Sequence, residues 1–198
     1  MKPLLIVLSA PSGTGKTTLC DRLLQDYPEL SYSISCTTRE SRGSEEDGED
    51  YYFLKATDFA KRLAAGEFLE HARVHGFEYG SLKEPVYAAL AEGQSMLMDI
   101  DVAGAAQVRE YVATLPPTDP LRAGFVDIFI RPPSLEALRE RLEARGEDDE
   151  ATIARRLRNA DAELARAGEY RYHVVNDDLE IAYRELCGII EVCSGLRG

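Results

Sequence analysis

No apolar run in this 198-residue chain approaches the ~20 residues that a bilayer-spanning helix needs, so a membrane protein is not expected. The four cysteines, Cys20, Cys36, Cys187 and Cys193, lack the paired spacing of a metal centre and read as reduced packing thiols. Positive charge is scarce: 23 Lys and Arg against 35 Asp and Glu leave a net charge of −12. That balance argues against a nucleic-acid partner, and any phosphate must be held by local cationic clusters. Histidine is rare too, and His71, His75 and His173 read as packing or surface residues without a catalytic role. Internal repeats and low-complexity tracts are missing. With 44% hydrophobic residues the chain can bury one sizeable core, so one catalytic unit with inserted lobes is expected. Met1-Lys2-Pro3 runs straight into an apolar stretch, leaving no room for a leader, and a cytoplasmic location is expected. No obligate protein partner is evident.

What is present begins with Leu4 to Thr18, LLIVLSAPSGTGKTT, an apolar run that breaks into a glycine-rich turn and then a helix. This is the pattern of a phosphate-binding loop, with Gly13, Gly15, Lys16 and Thr17 in place and Ala10 where the first glycine is usual. The glycines let backbone N–H groups turn inward onto phosphate oxygens at a helix N-terminus. Lys16 then reaches the outer phosphates, and the Thr17 hydroxyl can ligate Mg²⁺.

Down the chain, the spacing predicts a short amphipathic helix ending before Pro28 and a strand over Ser31 to Thr37. Arg39 and Arg42 follow that strand, and the acidic stretch Glu45 to Asp50 reads as a solvated loop. Thr57 to Ala65 reads as a capped helix, Glu67 to Val74 as an alternating strand, and HGFEYGS as a tight aromatic turn. After a helix over Leu82 to Glu92, the strand Gln94 to Ile100 ends in Asp99-Ile100-Asp101, and a helix runs from Val102 to Val112. Acidic groups at a strand's carboxyl end are where a doubly wound sheet places its ligands. Leu115 to Gly124 reads as a surface loop before the strand Phe125 to Ile130. Pro132, Pro133 and Ser134 cap a helix over Leu135 to Ala144, and arginines from Arg139 to Arg158 interleave with GEDDE in a helical pair. A short strand, Tyr172 to Asn176, and a helix, Leu179 to Val192, follow. The order of strand, loop and helix describes an α/β sandwich around a parallel sheet.

A phosphate loop alone fits a GTPase, an ATPase motor or a small-molecule kinase. The chain has no Asn-Lys-x-Asp guanine-reading box, but it has two arginine groups, Arg39 with Arg42 and Arg141 with Arg145 and Arg156. Joining a phosphoryl group to a phosphate acceptor brings two anions together, which calls for extra cations. A phosphate monoester is largely ionised at neutral pH, so no general base is required.

These residues resemble the guanylate kinases. The likeness runs over nearly the whole chain: LSAPSGTGKTTL, SISCTTRESRG, GEDYYF, GEFLEHARV, YGS, LMDIDVAG, PPSLEALRERLEARG and VVNDD. It implies a P-loop kinase fold with a parallel central sheet flanked by helices, an inserted GMP-binding lobe over 33–82 and a small helical lid over 135–167. The core would comprise 1–32, 83–134 and 168–198. The implied activity is Mg²⁺-dependent transfer of the ATP γ-phosphoryl group to GMP in purine nucleotide metabolism, with the use of dGMP left open. The resemblance implies an ATP site of Ala10, Pro11, Ser12, Gly13, Thr14, Gly15, Lys16, Thr17, Thr18 and Asn176. It places GMP phosphate on Arg39, Arg42, Tyr51 and Tyr79, and guanine against Ser35, Glu70, Ser81 and Asp101. Asp99 would stand beside Mg²⁺ through water, with Thr17 as the direct ligand. Lys16, Arg39, Asp99, Arg141, Arg145 and Arg156 would carry catalysis, the last three from the lid and its hinge. The family admits Ala at the first loop position. Ser41 and Ser44 stand where the family usually has Pro and Gly, and Ala113 to Gly124 is longer than its counterpart. Two other readings remain at this point: a catalytically dead peptide-binding scaffold of the same fold, and a kinase for another phosphorylated acceptor such as a sugar phosphate.

Overall fold

A computed structural model describes residues 2–146 and 148–196. Glu147, in the expected acidic turn, lies outside the described residues, as do Met1, Arg197 and Gly198. The central element is strand β1 (Leu5–Ser9), buried at every position. Strands β2 (Leu30–Tyr32), β7 (Ser95–Asp99), β8 (Phe125–Arg131) and β9 (Tyr172–Val175) complete a parallel sheet in the order β2-β7-β1-β8-β9. A parallel strand covered on both faces must be apolar on both, which is why β1 reads as a continuous hydrophobic run. Its alternate residues serve two separate cores. Leu5 and Val7 pack with Met96, Met98 and Phe129 under helices α3 (Lys83–Ala91) and α4 (Val102–Thr114). Leu4, Ile6 and Leu8 pack with Leu97, Ile128 and Ile130 under α1 (Lys16–Asp26) and α8 (Leu179–Ser194). On the edge of the second core, the Lys2 amide donates to the Ser194 carbonyl at 3.1 Å.

A second sheet, of order β4-β3-β6-β5, is built from β3 (Cys36–Thr37), β4 (Tyr52–Phe53), β5 (Phe68–Val74) and β6 (Phe77–Leu82). Phe59 of helix α2 (Ala56–Ala64) stacks on Phe68 at 4.5 Å, sealing a small core over Cys36. Two further helices, α6 (Leu135–Arg145) and α7 (Glu150–Ala165), pack on each other through Leu138, Leu142, Ile153 and Ala160.

Four local expectations differ. The stretch Ser31 to Thr37 is not one strand: the Ser33 amide still bonds Leu97 on the central sheet at 2.9 Å, and by Ser35 the chain accepts from Tyr52 in the second sheet. The aromatic turn is confined to His75-Gly76, both with positive φ, while Phe77 onward pairs as strand. The expected capped helix, α2, starts at Ala56 behind Lys55 and has no side-chain cap bond at its start. Finally, Leu115 to Gly124 holds a helix, α5 (Pro120–Gly124), with Asp119 as N-cap and Pro at the first turn. Its Leu121 is fully buried, and Gly124 sits so close to Pro3 that a Cβ would meet the Pro3 carbonyl at 2.5 Å. No described helix is long and apolar enough to cross a membrane.

Candidate active site

The carboxyl ends of β1 and β7 open onto one cleft. Beyond Ser9 the chain turns through Gly13 and Gly15, at φ 89° and 90°, where a residue with a Cβ is strained. Gly15 has a second reason: a Cβ there would meet the Asn176 side-chain nitrogen at 2.6 Å. Ala10 is outside the left-handed region, so the missing first glycine costs the loop nothing. Gly15 is also the N-cap of α1, with no side-chain cap bond, whereas Asp101, Ser134, Asp149 and Asp178 cap α4, α6, α7 and α8. The first amides of α1 therefore stay available to an anion.

The phosphate cleft has a volume of about 430 Å³ and is lined by Ala10 to Gly13, Gly15 to Thr18, Asp99, Asp101, Arg145 and Glu163. Lys16 is ion-paired with Asp99 on its floor, and its ammonium also lies 3.5 Å from the Ile100 carbonyl. The Cys20 thiol, 3.9 Å from Asp99, is pushed up to about 12 by burial and then by Asp99, which keeps it an inert thiol. A second opening of about 340 Å³ runs from Thr14 and Gly15 past Arg141, Arg145 and Asn176. Asn176 is buried, donating to the Thr14 carbonyl at 2.7 Å, so the loop is braced from β9. Arg141 donates to the Asp177 carbonyl at 3.2 Å. Arg156 donates to the Ser12 hydroxyl at 3.2 Å and pairs with Asp148 at 3.2 Å. The helical pair thus already touches the loop.

The second sheet carries the other predicted group. Arg39 is buried, with its guanidinium 5.3 Å from the Tyr51 ring and its Nε donating to the Tyr79 hydroxyl at 3.3 Å. Its two terminal nitrogens grip both oxygens of Glu45 at 2.8 and 2.9 Å, and the Arg42 amide donates to the same carboxylate at 2.7 Å. These bonds hold the Glu45 carboxyl well below its usual range. Glu45 was not legible as part of the site. Its one signal was position, six residues after Arg39 and three after Arg42, inside an acidic run. Arg42 itself is exposed, and its side chain makes no hydrogen bond or ion pair among the described residues.

Glu70 is buried and accepts from the Ser81 hydroxyl at 2.7 Å, while Ser35 lies 3.3 Å from Ser81. Burial, reinforced by nearby Asp101, raises the Glu70 carboxyl. Its other oxygen lies against Gly104, where a Cβ would come within 3.0 Å. Asp101, the α4 cap, accepts from the Gly104 amide at 2.7 Å and also borders the phosphate cleft. Asp101 therefore joins the Glu70 cluster to the Lys16 loop. The arrangement offers, in sequence, a polyphosphate cradle, a cationic and aromatic anion pocket, and a buried carboxylate with hydroxyls.

Comparison with known proteins shows which family the chain resembles. The family model described as guanylate kinase matches residues 2–192. A guanylate kinase of Nitratidesulfovibrio vulgaris is 49% identical over 183 residues, covering 92% of this chain and 84% of the relative. One from Carboxydothermus hydrogenoformans is 44% identical over 189 residues, covering 96% and 88%. The crystal structure of guanylate kinase from Anaplasma phagocytophilum superposes with a TM-score of 0.71 at 31% identity, covering 97% of this chain and 86% of that one. By sequence over nearly its full length, and by fold, the chain belongs to the guanylate kinase family.

Proposed function

We propose that the chain transfers the γ-phosphoryl group of ATP to GMP, giving ADP and GDP. The observation that carries this reading is Asp101, which borders the Lys16 cleft on one side and the buried Glu70 cluster on the other. A donor polyphosphate on the loop and a guanine at Glu70 would then lie on opposite sides of one residue. In this reading 33–82 is the GMP-binding lobe and 135–167 the lid.

The residues divide the work. The amides of Gly13 to Thr18 and the α1 N-terminus hold the donor phosphates, and Asn176 borders the adenine end. Lys16 exchanges Asp99 for phosphate oxygens whose charge grows as the γ-group moves. Arg39, with Tyr51, Tyr79 and Arg42, receives the acceptor phosphate, which competes with Glu45 for the guanidinium. Glu70 accepts from the guanine N1–H and 2-amino groups, which adenine cannot present together, while Ser35 and Ser81 supply hydroxyls and Asp101 completes the wall. Arg141, Arg145 and Arg156 bring cations over the transferring group when the lid closes. The oxygen set of Thr17 and Asp99 fits a hard divalent cation, and Mg²⁺ bound there would offset phosphate charge.

A coupled assay of ADP release against a panel of nucleoside monophosphates tests the proposal. Turnover with GMP well above AMP, CMP and UMP is expected. A flat response to GMP would leave the fold serving as a binding scaffold.

A further inference from the structure

The proposed chemistry leaves one wall of the phosphate cleft without a task. Glu163, near the end of α7, lines that cleft together with Lys16, Thr17, Asp99 and Arg145. It is half-buried, and its side chain makes no hydrogen bond or ion pair among the described residues. Arg156 stands seven residues earlier, about two turns up the same face of α7, and it reaches Ser12 on the loop. The face that carries Glu163 is therefore the face turned to the nucleotide phosphates.

A lone carboxylate directed at a polyphosphate site repels its own ligand unless donors or a cation stand between them. Burial raises the Glu163 carboxyl, Asp101 raises it further, and Lys16 draws it back, so it senses both sides of the cleft. Lys16 is already engaged by Asp99. The donors that arrive with substrate are the waters of Mg²⁺, a cation that keeps several of them when bound beside phosphates. Carboxylates that accept from such outer waters orient the ion.

We propose that Glu163 is a positioning residue for the hydration shell of the magnesium ion, accepting hydrogen bonds from its waters from the lid side of the cleft. Metal loading and lid closure are then linked through one side chain. The inference rests on reading the cleft as the Mg²⁺–ATP site.

The test compares the full chain with its Glu163→Gln variant, using ADP as ligand and Mn²⁺ as a paramagnetic stand-in for Mg²⁺. Calorimetry reads ADP affinity in chelator and in metal, and Mn²⁺ resonance reads metal affinity with ADP present. In chelator the variant is expected to bind ADP about threefold more tightly, because a like charge has gone. With ADP present its Mn²⁺ affinity is expected to fall about tenfold. Glu163→Asp, which keeps the charge, is expected to recover most of that affinity. Equal Mn²⁺ affinity in Glu163→Gln would overturn the proposal, as would parallel weakening with and without metal, the mark of a merely structural role. A changed GMP to dGMP preference at unaltered Mn²⁺ affinity would also overturn it and assign Glu163 to the acceptor ribose. Failure of the unaltered chain to bind Mn²⁺ with ADP would instead remove the reading of the cleft, and this inference with it.

Discussion

Glu70 shows what a single residue can hold at once. Its carboxylate is buried, its hydrogen-bond donor is the Ser81 hydroxyl, and Asp101 stands nearby. Because burial raises the carboxyl, the folded protein keeps this proton to higher pH than the unfolded chain does. The contribution to stability is therefore fully present below the unfolded value and is lost as pH rises through the folded one. Glu70→Gln is expected to raise the Tm of the free protein at neutral pH and to change it little in acid, as measured by calorimetry across pH. The same variant is expected to relax the choice of GMP over AMP in competing-substrate kcat/KM measurements. Unaltered selectivity would move guanine reading to another residue. The chemistry of Glu70 could be named from the sequence only through the resemblance, since a lone acid in a strand says nothing of burial. Glu45 was less legible still, because its role depends on Arg39 being folded over it, and an acidic run carries no trace of that.

At the scale of elements, the legible parts were those whose local pattern and tertiary role agree. The strand β1 is apolar from Leu5 to Leu8 because both faces are covered, and the loop after it is glycine where φ is positive. The failures came where tertiary pairing overrode local pattern. The residues from Ser31 to Thr37 are β-prone throughout, yet they are shared between two sheets by partners distant in sequence, Leu97 in one and Tyr52 and Tyr79 in the other. Proline and a charged neighbour made α5 look like loop, although Asp119, Pro120 and the buried Leu121 are a cap, a first turn and an anchor. Leu121→Ala is expected to cost about 2–4 kcal/mol, read as a lower urea midpoint, because it opens a cavity under α3 and α4. A surface loop at that position would lose nothing measurable.

On the scale of the whole molecule, the net charge of −12 and the two anionic substrates are reconciled by concentrating cations at the cleft. Some of those cations sit on α6 and α7, which have their own small core and touch the loop through Arg156. The proposed lid therefore has the packing to move as a unit. Solution scattering is expected to report a smaller radius of gyration when a bisubstrate mimic joins both nucleotide sites than with either nucleotide alone. An unchanged radius would sink the lid assignment. One further consequence lies at the amino end of the central strand, where the Lys2 amide meets the Ser194 carbonyl. That bond fastens the lead-in to β1 onto the end of α8, so the central strand and the long helix packed beside it hold together there as one piece. Amide hydrogen exchange is therefore expected to find the Lys2 amide opening together with the last turn of α8, and far more slowly than the exposed His75-Gly76 turn.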